Sequence, residues 1–133
     1  MPNAFAWTYS ENPNLLLWSR SLNPVNESLF LLNNLAHGWT GEYITNINWE
    51  NTWLAEGFST FIERKIFKKK YGEDLFNLTV YKGMKDLYKF ILEKGEKNSI
   101  TSLHPDTSFV NPDIAINIVA KEKGFLFLNY LEV

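Results

Sequence analysis

The sequence predicts a mainly α fold, with a remnant of sheet at its front that makes it α+β in a minor way. Three observations carry this expectation. Apolar residues recur at three- and four-residue spacing over most of the chain beyond Asn26. The clearest strand-like run, "NLLLWSRSL" at 14 to 22, lies near the start. Glycines at 72 and 95 stop the two longest periodic stretches. At 133 residues, 45% hydrophobic and 16% aromatic, the chain has one domain's worth of material and enough apolar surface for a core. No repeat or linker divides it, so residues 1–133 read as a single domain or a fragment of one.

The 14 to 22 run is bounded by Pro13 and Pro24 and reads as one strand. From Asn26, "NESLFLLNNLAHGW" places apolar residues at 29, 30, 32, 35, 36 and 39, a helix with a broad buried face. Asn26 or Ser28 would cap its start and Gly41 would close it. "WENTWLAEGFSTFIERKIFKKKYG", 49 to 72, is the clearest helix, with Trp53, Leu54, Phe58, Phe61, Ile62 and Ile66 as its apolar face. Its lysines at 65 and 68 to 70 fall late, where they complement the helix dipole. Residues 73 to 95 repeat the period with Leu75, Leu78, Met84, Leu87, Phe90 and Ile91, although Gly83 weakens the middle. The polar, proline-punctuated stretch through "NPDIA" is a loop, and a last helix starts near Ala120. The apolar pattern of that helix still runs at residue 133, so a sticky face and self-association are expected.

Bulk properties exclude several classes of function. A net charge of −2 argues against a nucleic-acid partner held through phosphates. Zero cysteines remove disulfides and thiolate metal sites and suit a reducing compartment. The start lacks a basic segment followed by an apolar one, and no apolar run is long enough to span a membrane. A cytoplasmic location is therefore expected, and the sequons at Asn26 and Asn77 read as chance.

The chemistry concentrates in "NNLAHGWTG", 33 to 41, and "WLAEG", 53 to 57. Residues at i and i+4 project from one face of a helix, so two histidines there can grip zinc, and a glutamate beside the first can act on the metal-bound water. A carboxylate from a following helix would complete three ligands. His37 and Glu56, nineteen residues apart, suit two of these. Asn33 stands where the other histidine is needed, and its neutral amide oxygen is a poor zinc ligand. Asn34 stands where the base is needed, and an amide takes no proton near neutral pH.

The chain resembles the gluzincin zinc aminopeptidases, most closely the branch of leukotriene A4 hydrolase and aminopeptidase B. Members carry H-E-x-x-H, x-W-x-G and W-L-N-E-G, and "NNLAHGWTG", "TNINWENTWLAEGFSTFIERKI" and "KEKGFLFLNYLE" follow that order and spacing. "YSENP" resembles the family's amine-binding segment and "NPDIA" its acidic motif. The resemblance implies a thermolysin-like catalytic-domain fragment, without the family's flanking domains, and zinc as cofactor. It implies His37 and Glu56 as metal ligands, Asn33 as the altered third, and Asn34 at the catalytic base. Lys121 stands at the oxyanion tyrosine, while Glu11 and Asp113 fall on the substrate side. The substrate implied is a peptide or, for the epoxide hydrolases of the branch, a small molecule. Ala55 for asparagine and the missing start of the amine-binding segment are further departures.

The residues also admit plainer readings. His37 can be a hydrogen-bonded core histidine, Glu11 a solvated carboxylate and His104 a loop residue without a role. Glu56 in an apolar stretch needs a partner, either zinc or a cation such as Lys121 or Arg64. With three chemical positions altered together, the sequence favours a degenerate, non-catalytic relative with weak or absent zinc. The alternative is a working zinc aminopeptidase or epoxide hydrolase with an atypical metal site.

Overall fold

The computed structural model describes residues 9–12, 15–18, 24–108 and 111–132. At the front, β1 (Tyr9–Asn12) pairs antiparallel with β2 (Leu15–Trp18), with Tyr9 opposite Trp18 and Asn12 opposite Leu15. The sheet thus extends to Glu11 and its neighbours, ahead of the one strand read from sequence, and the strand expected over 14 to 22 spans only Leu15–Trp18 of the described residues. A four-residue strand is stable here only by pairing with its neighbour, which a run-length reading cannot see.

Helix α1 covers Pro24–His37, three residues earlier than a cap at Asn26 would allow. Proline suits the first helical turn because its missing N–H lies among the unpaired donors there. The chain then enters a wide π-type turn, Gly38–Tyr43, broken at Thr40 and Gly41. Gly41 is therefore no simple stop for the helix. A Cβ on Gly41 would lie 3.0 Å from His37 Nδ1, so the glycine makes room for that imidazole.

A 3₁₀ turn, Trp49–Asn51, leads into α2 (Thr52–Tyr71), and α3 covers Glu73–Lys94. Both ends fall where the sequence places them. Gly72 and Gly95 adopt φ of 90° and 88°, which only glycine takes cheaply, and their N–H groups bond to Lys68 O and Ile91 O at 2.9 and 2.8 Å. Lys68 pairs with Glu73 across the junction at 2.8 Å. The polar stretch beyond contains 3₁₀ turns at Ser99–Thr101 and Pro112–Ala115. A π-type turn, Val119–Lys123, runs into α4 (Gly124–Leu131).

Helix α2 is the axis of the fold, with α1, α3, α4 and the turn before α4 packed around it. Where α2 crosses α4 the backbones nearly touch: a Cβ on Gly57 would lie 3.0 Å from Gly124 Cα. Phe125 is fully buried, flanked at 6.4 Å by the rings of Phe61 and Phe76 and covered by the Arg64 guanidinium at 4.3 Å.

The buried face of α2 is not the expected one. Thr52, Ala55, Glu56, Ser59, Thr60, Arg64 and Phe67 are buried, whereas Leu54, Phe58 and Ile66 are exposed. On α3 the expected face holds in part: Leu87 is buried, with Phe76 and Gly83, and Phe90 and Ile91 are half-buried, while Leu75, Leu78 and Met84 are exposed. Polar α2 side chains can go inside because they bond to the helix backbone and to other elements: Ser59 Oγ and Thr60 Oγ1 donate to carbonyls one turn back, at 2.7 and 2.8 Å.

Candidate functional site

The end of α1, the second turn of α2 and the turn before α4 converge on one carboxylate. Glu56 Oε2 lies 3.6 Å from His37 Nε2 and 3.5 Å from Lys121 Nζ. Both contacts are ion-pair separations at the edge of hydrogen-bond length, and Glu56 Oε2 accepts no hydrogen bond from the described residues. Burial pushes the Glu56 carboxyl up, but the contact with His37 and the positive charge of Lys121 outweigh it and hold the group below the usual carboxylate value. Of the two cations considered for Glu56 from sequence, Lys121 is the partner. Arg64 instead pairs with Glu122 at 2.7 Å.

The wide turn is tied down beside this cluster. Thr40 Oγ1 and Ser59 Oγ share a hydrogen bond of 2.7 Å, and Ser59 is fully buried. That bond fixes the chain just past His37 against the helix that carries Glu56. An open cavity of about 420 Å³ lies alongside, lined by His37, Gly41, Trp49, Thr52 and Glu56 among others.

One turn back along α1, the two asparagines are engaged elsewhere. Asn33 Nδ2 donates to Glu63 Oε2 at 2.9 Å, and Asn34 Nδ2 donates to the carbonyl of Phe30 at 2.7 Å. Burial raises the Glu63 carboxyl to about 7, against the opposing influence of Arg64 and of the Asn33 hydrogen bond. Glu63 and Glu122 were not found from sequence. The available signal was spacing: Glu63 follows Glu56 by seven residues, two turns along the same helix face.

Asp113 is exposed on the Pro112–Ala115 turn, its N–H bonded to Asn111 Oδ1 at 3.0 Å, and it does not join the His37–Glu56–Lys121 cluster. The backbone of Glu11 lies in β1, and its side chain is outside the described residues. His104 is exposed and sits 3.7 Å from Glu50.

The zinc implied by the resemblance can be tested against these donors. Among the described residues no three His, Cys, Asp or Glu side chains come together as a ligand set. His37 and Glu56 supply two, Asn33 turns its amide to Glu63, and an ammonium stands 3.5 Å from the Glu56 oxygen a metal would use. The described residues do not fit a zinc ion.

His37 at the end of α1 faces Glu56 on the next helix, and the fold that holds them is that of the metallopeptidase class. Residues 7–133 match the peptidase family M1 domain, and the chain belongs to that family. It is 35% identical to the leukotriene A-4 hydrolase of Xenopus laevis over 99% of its own length, and 40% identical to a leucine aminopeptidase 2 of Ajellomyces capsulatus over 74%. The structure of leukotriene A4 hydrolase from Saccharomyces cerevisiae superposes over 96% of the chain with a TM-score of 0.85 at 29% identity. The chain spans about a fifth of these proteins: 22% and 16% of the two relatives and 21% of the yeast structure.

Proposed function

We propose that the chain is a non-catalytic relative of the leukotriene A4 hydrolase-type aminopeptidases, keeping the scaffold of their catalytic region without its hydrolytic chemistry. The observation that carries this reading is the bonding of Asn34. Its amide donates to the Phe30 carbonyl one turn back, and an amide carries no group basic enough to take a proton from water near neutral pH. Losing a general base costs about 10²–10⁴ in rate, and the altered metal position at Asn33 removes Lewis acidity as well. In this reading His37 and Glu56 are vestigial metal positions, Asn33 the lost third ligand and Lys121 the replaced oxyanion donor. Glu11 and Asp113 belong to the substrate side, and any ligand retained is peptide-like. No helix among the described residues is long and apolar enough to cross a membrane, and a cytoplasmic setting belongs to the same proposal.

The test is hydrolysis of aminoacyl-arylamides, measured with and without added zinc and beside the zinc content of protein purified without chelators. Turnover no greater than a metal-free control is expected. Saturable, chelator-sensitive hydrolysis would overturn the reading in favour of a working enzyme with an atypical site.

A further inference from the structure

Glu56 is nine-tenths buried, and a carboxylate so placed is costly without a compensating positive charge. In a zinc centre the metal is that charge. Here the Lys121 side chain, 41% exposed, reaches in from the surface and sets its ammonium 3.5 Å from the same oxygen that His37 approaches at 3.6 Å. A long stem with a wet end avoids most of the desolvation that a fully buried lysine would suffer. We propose that the Lys121 ammonium is a resident replacement for the metal, supplying the positive charge that fixes Glu56 between α1, α2 and the turn before α4 and keeping divalent zinc out. This rests on the reading of the chain as a relative without a working metal centre, and adds which residue took over the metal's structural part.

The geometry accounts for both halves of the proposal. Zinc binds carboxylate oxygen at about 2.0–2.2 Å, so an ion held by Glu56 Oε2 would stand within a few ångströms of the ammonium. A dication there meets a repulsion that lowers its affinity by at least about tenfold even at the dielectric constant of water. Without zinc, the same ammonium links the turn before α4 to α2, and the buried carboxylate is not left alone.

The experiment uses the full chain and its Lys121→Met, Lys121→Arg and Glu56→Gln/Lys121→Met variants. Methionine keeps most of the stem and loses the charge, whereas arginine keeps the charge. Lys121→Met should lower the melting temperature by at least about 4 °C. Lys121→Arg should retain more than half of that loss, and the double variant, with both charges removed, should regain most of it. Zinc ion alone is then titrated calorimetrically into Asn33→His and Asn33→His/Lys121→Met, and the second should bind at least about tenfold more tightly. Equal melting of Lys121→Met and the unmodified chain overturns the proposal, as does equal zinc affinity or no binding by the second titrated variant. Zinc-dependent turnover by the unmodified chain would instead sink the functional reading, whatever these variants do.

Discussion

Asn33 on α1 donates a 2.9 Å hydrogen bond from Nδ2 to Glu63 Oε2 on α2, thirty residues along the chain. The bond joins the two helices on the side of the cluster away from the wide turn, and its acceptor is a carboxyl group that burial has raised to about 7.

That carboxyl makes stability depend on pH in a direction opposite to the usual acidic side chain. The folded state holds the Glu63 proton more tightly than the unfolded chain, whose carboxyl titrates near its ordinary value of 4.5. Stability is therefore lost as pH rises from about 4.5 through about 7, by at most about 3 kcal/mol. Glu56, held below its ordinary value, contributes in the opposite sense, and its contribution is lost as pH falls below the unfolded carboxyl range. Urea unfolding of the unmodified chain and of Glu63→Gln at pH 5 and pH 8 separates the two. The glutamine variant should gain relative stability at pH 8, and a constant difference between the two pH values would contradict the assignment to Glu63.

Position 33 is also where a metal site would be rebuilt first. An imidazole there lies one helical turn from His37 and faces the carboxylate that now accepts from the asparagine. Metal-bound imidazoles are commonly oriented by such an outer carboxylate. Asn33→His should raise zinc affinity by at least about tenfold without restoring peptidase activity. Adding Asn34→Glu returns the base, and Lys121→Tyr an oxyanion donor without the ammonium. Activity should require the first two changes together, because base and metal act on one water. Unchanged zinc binding in Asn33→His would show that the two helices do not present these positions to a common ion.

How much of this could be read from the sequence depended on whether the signal was local. Gly72 and Gly95 mark the ends of α2 and α3 because a positive φ is a property of one residue. The resemblance to the aminopeptidases likewise rests on short motifs, and His37 and Glu56 do meet. The buried face of α2 was misread because periodicity asks only where apolar residues lie. Thr52, Ser59 and Thr60 are inside because their hydroxyls donate to carbonyls one turn back, and Arg64 is inside with one nitrogen paired to Glu122. The Arg64–Glu122 pair spans 58 residues, and nothing local in either segment announces it.

The exposed apolar side chains should make the isolated chain self-associate. Tyr43, Ile44 and Ile47 are 87%, 71% and 91% exposed, and Ile44 and Ile47 border an apolar cavity of about 510 Å³ shared with Leu54 and Phe58. On α3, Leu78, Tyr81, Tyr88 and Leu92 are exposed as well. Contiguous apolar patches of more than a few hundred Å² are rare on soluble monomers. Light scattering should show mass rising with concentration, and Ile44→Ser with Ile47→Lys should reduce it. A concentration-independent monomer mass would contradict the expectation.

Gly83 offers the sharpest test of packing, because propensity and structure predict opposite signs. In an exposed helix interior, glycine to alanine stabilises by about 1 kcal/mol. Here a Cβ on Gly83 would overlap the Glu122 carboxylate, which is held by the buried Arg64 guanidinium. Moving that carboxylate strips a buried cation of its partner, and breaking a buried pair costs about 3–5 kcal/mol. Partial retention of the pair would reduce the loss, so Gly83→Ala should destabilise by at least about 1 kcal/mol. In an Arg64→Met/Glu122→Ala background both charges are gone and the space is open. The same glycine change should there stabilise by up to about 1 kcal/mol. Urea unfolding of the four proteins gives the comparison. Stabilisation by Gly83→Ala in the unmodified chain would mean that Glu122 does not fill the gap in α3, and the pairing of α3 with the turn before α4 would have to be redrawn.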